Sequence, residues 1–199
     1  KKEGYAQHNL AAGMRVHGGI LDSLNESLDE IGTKLKGFFK NYAGRYAGAQ
    51  EMPTLEIKLT GHSLGGALAQ LMAVFVKQNI EPYLKGIAHV SVKVYTFGAP
   101  PIFTKESAAK AQEMIGKNNI MRVFTIGDPV ANMSLISQKG GTSPLMALLN
   151  FRHLGLGIPL YDHQNGNEKM ASFFDPLNPW KYHLSNRYNN LLTLDAVEI

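Results

Sequence analysis

Leu21, Leu24, Leu28, Ile31, Leu35, Phe38 and Tyr42 recur at alternating three- and four-residue steps, which predicts one long amphipathic helix with its apolar stripe packed on a large surface. After Met52-Pro53 the pattern changes. Thr54-Leu-Glu-Ile-Lys-Leu-Thr60 alternates polar with apolar residues, as a half-buried strand does. It runs through Gly61-His-Ser-Leu-Gly-Gly66 into the helical stretch Ala67 to Val76, which ends near Gln78. Val90 to Phe97 is rich in β-branched and aromatic residues and stops at Gly98-Ala-Pro-Pro101, a second strand closed by a turn. Thr104 stands where it would cap a helix running through Met114 to Gly116, and Ile120 to Ile126 reads as a third strand, stopped by Gly127-Asp128-Pro129. Strand, helix, strand, helix, strand predicts an α/β fold with a mostly parallel central sheet flanked by helices. In such a sheet the functional groups gather at the C-terminal ends of the strands. Ser63 and Asp128 both fall on such ends.

Beyond Asp128 the pattern is less regular. Ser137 to Ser143 is a Gly/Ser loop, Pro144 to Leu149 a short apolar run, and Tyr161 to Trp180 a long polar stretch. Structureless segments of that length inside a compact domain are usually functional. The 199 residues, 44% apolar, suffice for a single domain over 1–199 with a substantial core. A net charge of +4, with lysines scattered rather than in runs, argues against a nucleic-acid groove and leaves a preference for anionic interfaces open. The absence of cysteine excludes disulfides, a thiolate nucleophile and Cys-ligated zinc, yet it does not decide the compartment. No apolar stretch approaches the roughly 20 residues of a membrane span, and residues 1–16 carry no signal-peptide core.

The chemistry concentrates at the first strand-to-helix turn. G-x-S-x-G is weak as a bare pattern, but here it follows a strand and opens a helix. A turn that sharp forces its apex residue into strained geometry, so positions two before and two after Ser63, namely Gly61 and Gly65, are expected to lack a Cβ for steric reasons. Ser63 Oγ then projects from the sheet at a helix N-terminus, where the Leu64 N–H and the helix dipole favour an anion on an attacked carbonyl oxygen. The competing reading is a tight turn with a capping serine.

A nucleophilic serine needs a base, and the base an orienting carboxylate. Asp128 supplies the acid with little competition, since Asp162 and Asp175 lie in the irregular region; its alternative role is a turn-forming Asp before Pro129. His153, His163 and His183 all follow it, and spacing does not choose among them. His183 precedes a predicted helix, Leu184 to Leu192, and is free to reach over the sheet, whereas Phe151 to Leu154 reads as a strand. His17 and His62 read as structural neighbours of the site.

These segments together resemble the class 3 lipases, the fungal triacylglycerol lipase type of α/β-hydrolase, over roughly residues 15 to 192. Arg15-Val-His-Gly-Gly-Ile-Leu-Asp-Ser23 is similar to the family's V-H-x-G-F-x-D-S, with Ile20 in place of Phe. Thr60 to Ala67 matches the nucleophile motif, Tyr95 to Pro100 the T-F-G-x-P strand, and Arg122 to Val130 the acid motif. Phe151 to Gly155 matches the aromatic-x-His-x-Gly strand, and His183-Leu-Ser185 the late H-L-S. The resemblance implies Ser63 as nucleophile, Asp128 as acid and His183 as base. It leaves His153, His62, His17, Gly61 and Gly65 as structural support and gives the Leu64 N–H to the oxyanion hole.

The implied activity is hydrolysis of carboxylic ester bonds in acyl lipids, triacylglycerol or phospholipid, through an acyl-enzyme and without metal or cofactor. Phospholipase A or lipid acyltransferase activity with the same triad, and a non-catalytic lipase-like binding module, are the rival readings. Pro144 to Leu149, with Leu154, Leu156, Ile158 and Leu160, reads either as an acyl groove or peripheral lipid contact, or as buried core. Two departures stand out. Pro101-Ile-Phe-Thr104 replaces the family's R-V-G-N, and the F-R-G-[ST] strand end that gives a second oxyanion donor is missing. From this comes the expectation that the chain is N-terminally incomplete, with residues 1–14 a lid remnant and at least one strand upstream.

Overall fold

The predicted long helix is α1, Gly18–Tyr46, in the computed structural model, which describes residues 13–132 and 151–160 together with 180, 182–185, 188, 189 and 192. His17 caps it, Nδ1 accepting the Ile20 N–H at 3.4 Å and occupying a donor that a helix start leaves free. Leu24, Leu28 and Phe39 enter the core, but Ile31 and Phe38 are exposed. The seven apolar positions keep a strict heptad, and a straight helix drifts about 20° per heptad against that repeat. By the third heptad the inward position has therefore passed from Phe38 to Phe39.

Strand β1 (Thr54–His62) leads into α2 (Leu64–Phe75), whose helical path continues through a π-turn, Val76–Ile80, into the short α3 (Glu81–Tyr83), beyond the predicted end near Gln78. Next come β2 (His89–Phe97), β3 (Phe103–Thr104), α4 (Lys105–Ile115), a 3-10 turn (Lys117–Asn119) and β4 (Ile120–Thr125), and then β5 (Phe151–Arg152) and β6 (Leu156–Leu160). Thr104 caps α4 as expected, its hydroxyl accepting the Ser107 N–H.

The main sheet has the order β1-β2-β4-β6 with every pairing parallel. β3 and β5 form a small antiparallel pair, bridged at Phe103 by Val16. β6 is an addition to the sequence reading. Gly157 and Pro159 mask its strand character, and Pro159 is tolerated because β6 pairs, among the described residues, only with β4.

One face of the sheet carries the core. Leu55, Ile57 and Leu59 of β1 and Val92 and Val94 of β2 join a cluster with Ala67, Leu71, Ala73 and Val74 of α2. The alanines let α2 approach the sheet closely, and α1 packs behind it through Leu24 and Leu28. On the opposite face Glu56 accepts from Lys93 at 2.7 Å and Lys58 at 2.9 Å. Those two hydrogen bonds, that to Lys93 foremost, hold its carboxyl at about 2. A smaller cluster, Val123, Leu160 and Tyr188 with Phe97, closes the C-terminal ends of the strands.

Of the stretch read as acyl groove or core, Leu154 and Leu160 are buried, whereas Leu156 and Ile158 are exposed at 41% and 42%. Residues 1–12 of the expected lid remnant, 133–150 with the apolar run, and 161–179 with Asp162, His163 and Asp175 lie outside the described residues. No helix of the described residues is long and apolar enough to cross a membrane.

Candidate active site

Ser63 sits where β1 turns into α2, with φ 54°, the one positive φ at a non-glycine among the described residues. An L-residue held there is strained, and the surrounding contacts must over-determine it. They do. A Cβ on Gly61 would lie 2.3 Å from the Gly65 carbonyl carbon and oxygen, and one on Gly66 would lie 2.8 Å from both the Ala99 Cβ and the Gly61 oxygen. The steric expectation for Gly65 is corrected: a Cβ there meets nothing within 4 Å. The Gly65–Gly66 peptide crosses over Gly61, so the crowded partner of Gly61 in side-chain space is Gly66.

Although Ser63 occupies the N-cap position of α2, its side chain makes no capping bond. Its Oγ instead lies 2.7 Å from His183 Nε2. The Leu64 N–H stands at the first position of α2, where a helix leaves its donors unpaired.

On its other side, His183 Nδ1 lies 3.0 Å from both Asp128 oxygens. A carboxylate only accepts, so Nδ1 carries the proton and Nε2 presents its lone pair to the Ser63 hydroxyl. His62 helps hold that ring in place. Its Nε2–H donates to the His183 carbonyl at 2.7 Å, and the two rings lie 5.0 Å apart. Thr125, at the end of β4, adds a second tether by donating its hydroxyl to the Tyr182 carbonyl at 2.8 Å.

Asp128 is fully buried, and a buried carboxylate is tolerable only when hydrogen-bonded on every side. Its Oδ1 accepts the N–H groups of Val130 (2.8 Å) and Ala131 (3.1 Å). The turn-forming role and the orienting role thus coexist in one side chain. Asn132 braces the turn from behind, its Nδ2 donating to the carbonyls of Thr125, Ile126 and Asp128.

Tyr188, which the sequence reading did not single out, donates its hydroxyl to Asp128 Oδ2 at 2.5 Å. Burial, then the neighbouring Asp128 charge, push that phenol above its ordinary range, so it stays a donor. Gly98 makes the room, because a Cβ there would lie 2.8 Å from both Asp128 Oδ2 and the Tyr188 oxygen. The available signal was an aromatic residue five positions after His183 in the predicted terminal helix. Tyr188→Phe is expected to leave Oδ2 without this bond, at a cost of about 1.5 to 3 kcal/mol for a lost hydrogen bond to a charged group, read from chemical denaturation.

Among the described residues, His17 and His153 have their partners elsewhere than Ser63. His17 caps α1 and packs on Phe151 at 5.7 Å. His153 donates Nε2–H to the Ala131 carbonyl at 2.7 Å. Burial, and then the Arg122 charge, hold its imidazolium pKa down to about 3. The native state therefore refuses a proton that the unfolded chain accepts near 6.5. Stability is complete above that value and falls as pH drops from about 6.5 toward 3. Wild type should lose stability over that window, and His153→Gln should lose less, as measured by denaturant midpoints at stepped pH. Among the described residues no group of three or more His, Asp or Glu is disposed to hold a metal ion.

Three large apolar side chains next to the site are exposed among the described residues. Trp180 (57% exposed) lies with its ring 6.2 Å from that of His183, and Leu64 and Leu184, next in sequence to Ser63 and His183, are exposed as well.

Comparison with known proteins places these features in context. The family described as Lipase (class 3) matches residues 2–138. A lipase of Rhizomucor miehei is 34% identical over 91 residues, covering 46% of this chain and 21% of that protein. A chloroplastic phospholipase A1-Iα2 of Arabidopsis thaliana is 26% identical over 192 residues, covering 93% of this chain and 38% of its own length. The chain thus spans well under half of these relatives. Among solved structures, the native Rhizomucor miehei lipase propeptide complex superposes with a TM-score of 0.52 at 26% identity, covering 76% of this chain and 40% of that one.

Proposed function

The chain belongs to the class 3 lipase family, and from that premise we propose that it takes part in hydrolysis of acyl-lipid esters with Ser63 as nucleophile, His183 as base and Asp128 as orienting acid. The observation that carries the reading is the hydrogen-bonded series Ser63 Oγ, His183 Nε2, His183 Nδ1, Asp128. His183 Nε2 takes the hydroxyl proton as Ser63 Oγ attacks the ester carbonyl, and the Leu64 N–H faces the oxyanion that forms. The imidazolium, held by the buried Asp128 carboxylate, returns that proton to the leaving alcohol. Water, deprotonated in turn by His183, then releases the acid and regenerates Ser63. Labelling by a fluorophosphonate, lost in Ser63→Ala, tests the nucleophile. It also separates an enzyme from a binding module.

The substrate is proposed as a long-chain acyl ester, supported by the apolar surface of Leu64, Trp180 and Leu184 beside Ser63. Turnover is expected to be several-fold higher on emulsified long-chain esters than on monomeric acetate esters. With the net charge of +4, binding to anionic vesicles should weaken as salt rises, neutral vesicles responding less. Equal rates on acetate and long-chain substrates would instead identify a simple esterase. Because the match to the phospholipase A1 runs along 93% of the chain, a phospholipid substrate is the second reading. Comparing fatty-acid release from phosphatidylcholine and from triacylglycerol decides between them.

A further inference from the structure

His153 has no place in the proton transfers above, yet both of its nitrogens carry information. Nε2 faces the Ala131 carbonyl at 2.7 Å. A carbonyl has no proton to give, so Nε2 carries one, and Nδ1 of the neutral ring is a lone pair. That Nδ1 is buried without a hydrogen-bond partner among the described residues, and so are Nε and Nη1 of Arg122. The Arg122 guanidinium lies over the Phe124 ring at 4.1 Å, and after burial its charge is the next cause that opposes protonation of His153. The ionisable groups acting here are Arg122 of β4 on His153 and Tyr188 on Arg122. Burial and a positive charge both disfavour a second N–H on the ring, so Nδ1 stays a lone pair.

Ala131 links this pair to the site. Its N–H donates to Asp128 Oδ1 at 3.1 Å while its carbonyl accepts from His153. We propose that His153 is a positioning residue for the ester-cleaving reaction: as the buried, neutral Nε2–H tautomer it holds, through Ala131, the turn that aims the Asp128 carboxylate at His183. This rests on the reading of Ser63, His183 and Asp128 as the triad.

The test has two parts. In protein labelled with ¹⁵N-histidine, the His153 ring is expected to show the Nε2–H tautomer and to remain neutral down to about pH 4, well below an ordinary histidine. In Arg122→Met its titration midpoint should rise as the opposing charge is removed, while staying below that of an ordinary histidine because burial remains. In kinetics, His153→Gln keeps an N–H for Ala131 and should retain kcat within about threefold, whereas His153→Phe keeps bulk without a donor and should lose roughly tenfold in kcat with KM little changed. Thermal melts of both variants report folding. An Nδ1–H tautomer, ordinary titration in wild type, or equal kcat in the Gln and Phe variants overturns the proposal. Ser63→Ala is assayed alongside. If it stays active, the triad reading fails, while the tautomer and titration results still judge the state of His153.

Discussion

Ser63→Ala is expected to lower p-nitrophenyl acyl ester hydrolysis by on the order of 10⁴-fold or more, and His183→Ala to do nearly the same, because nucleophile and base act as one unit. Asp128→Asn should cost a comparable factor: an amide in place of the carboxylate can donate to Nδ1, favouring the wrong tautomer of His183. The expectation follows from geometry, since His183 bridges Ser63 and Asp128 and the carboxylate is fully buried. The losses should be non-additive, so the triple variant is expected to be little slower than Ser63→Ala alone. If His153→Ala silences the protein while His183→Ala leaves it active, the assignment of the base is wrong.

The second large effect concerns the turn that carries Ser63. Gly61→Ala would put a Cβ 2.3 Å from peptide atoms of Gly65, a clash with backbone rather than with a side chain that could swing away. It is expected to cost about 3 kcal/mol or more, at the upper end of overpacking effects. For a domain of this size that lowers Tm by roughly 6 to 12 °C. Gly65→Ala, two positions into α2 with open space around it, should stay within about 1 kcal/mol of wild type, because Ala is the better helix former. Denaturant midpoints of the two variants check this directly. Equal destabilisation would show that crowding at the turn is not confined to Gly61 and Gly66.

The motif therefore misleads on a point of detail. Written as G-x-S-x-G, it implies that Gly65 is small for steric reasons, whereas the close approach falls on Gly66, one residue further on. Which atom lies over Gly61 depends on the rise and phase of α2 against β1, and a pattern of residue types does not encode that.

Local signals determined a good deal by themselves. The alternation from Thr54 to Thr60, the β-branched run before Gly98-Ala-Pro-Pro101 and the Thr104 cap each reflect the preferences of a few neighbouring residues, and β1, β2 and α4 lie where those preferences put them. Ser63 and Asp128 were legible for the same reason, since each marks a strand end by its own turn chemistry. The sum of weak, distant terms was left to the tertiary structure. β6 owes its existence to pairing with β4 despite Gly157 and Pro159, and α1 hands its inward position from Phe38 to Phe39 because helical pitch and heptad spacing do not match. Tyr188 meets Asp128 only because Gly98, ninety positions away, leaves the space. His183, indistinguishable by spacing from His153, comes to Ser63 across 120 residues, while His153 is held away from Ser63 at the Ala131 carbonyl. A histidine's proton and partner are set by what surrounds its ring after the chain has closed, and only the packed structure supplies those surroundings.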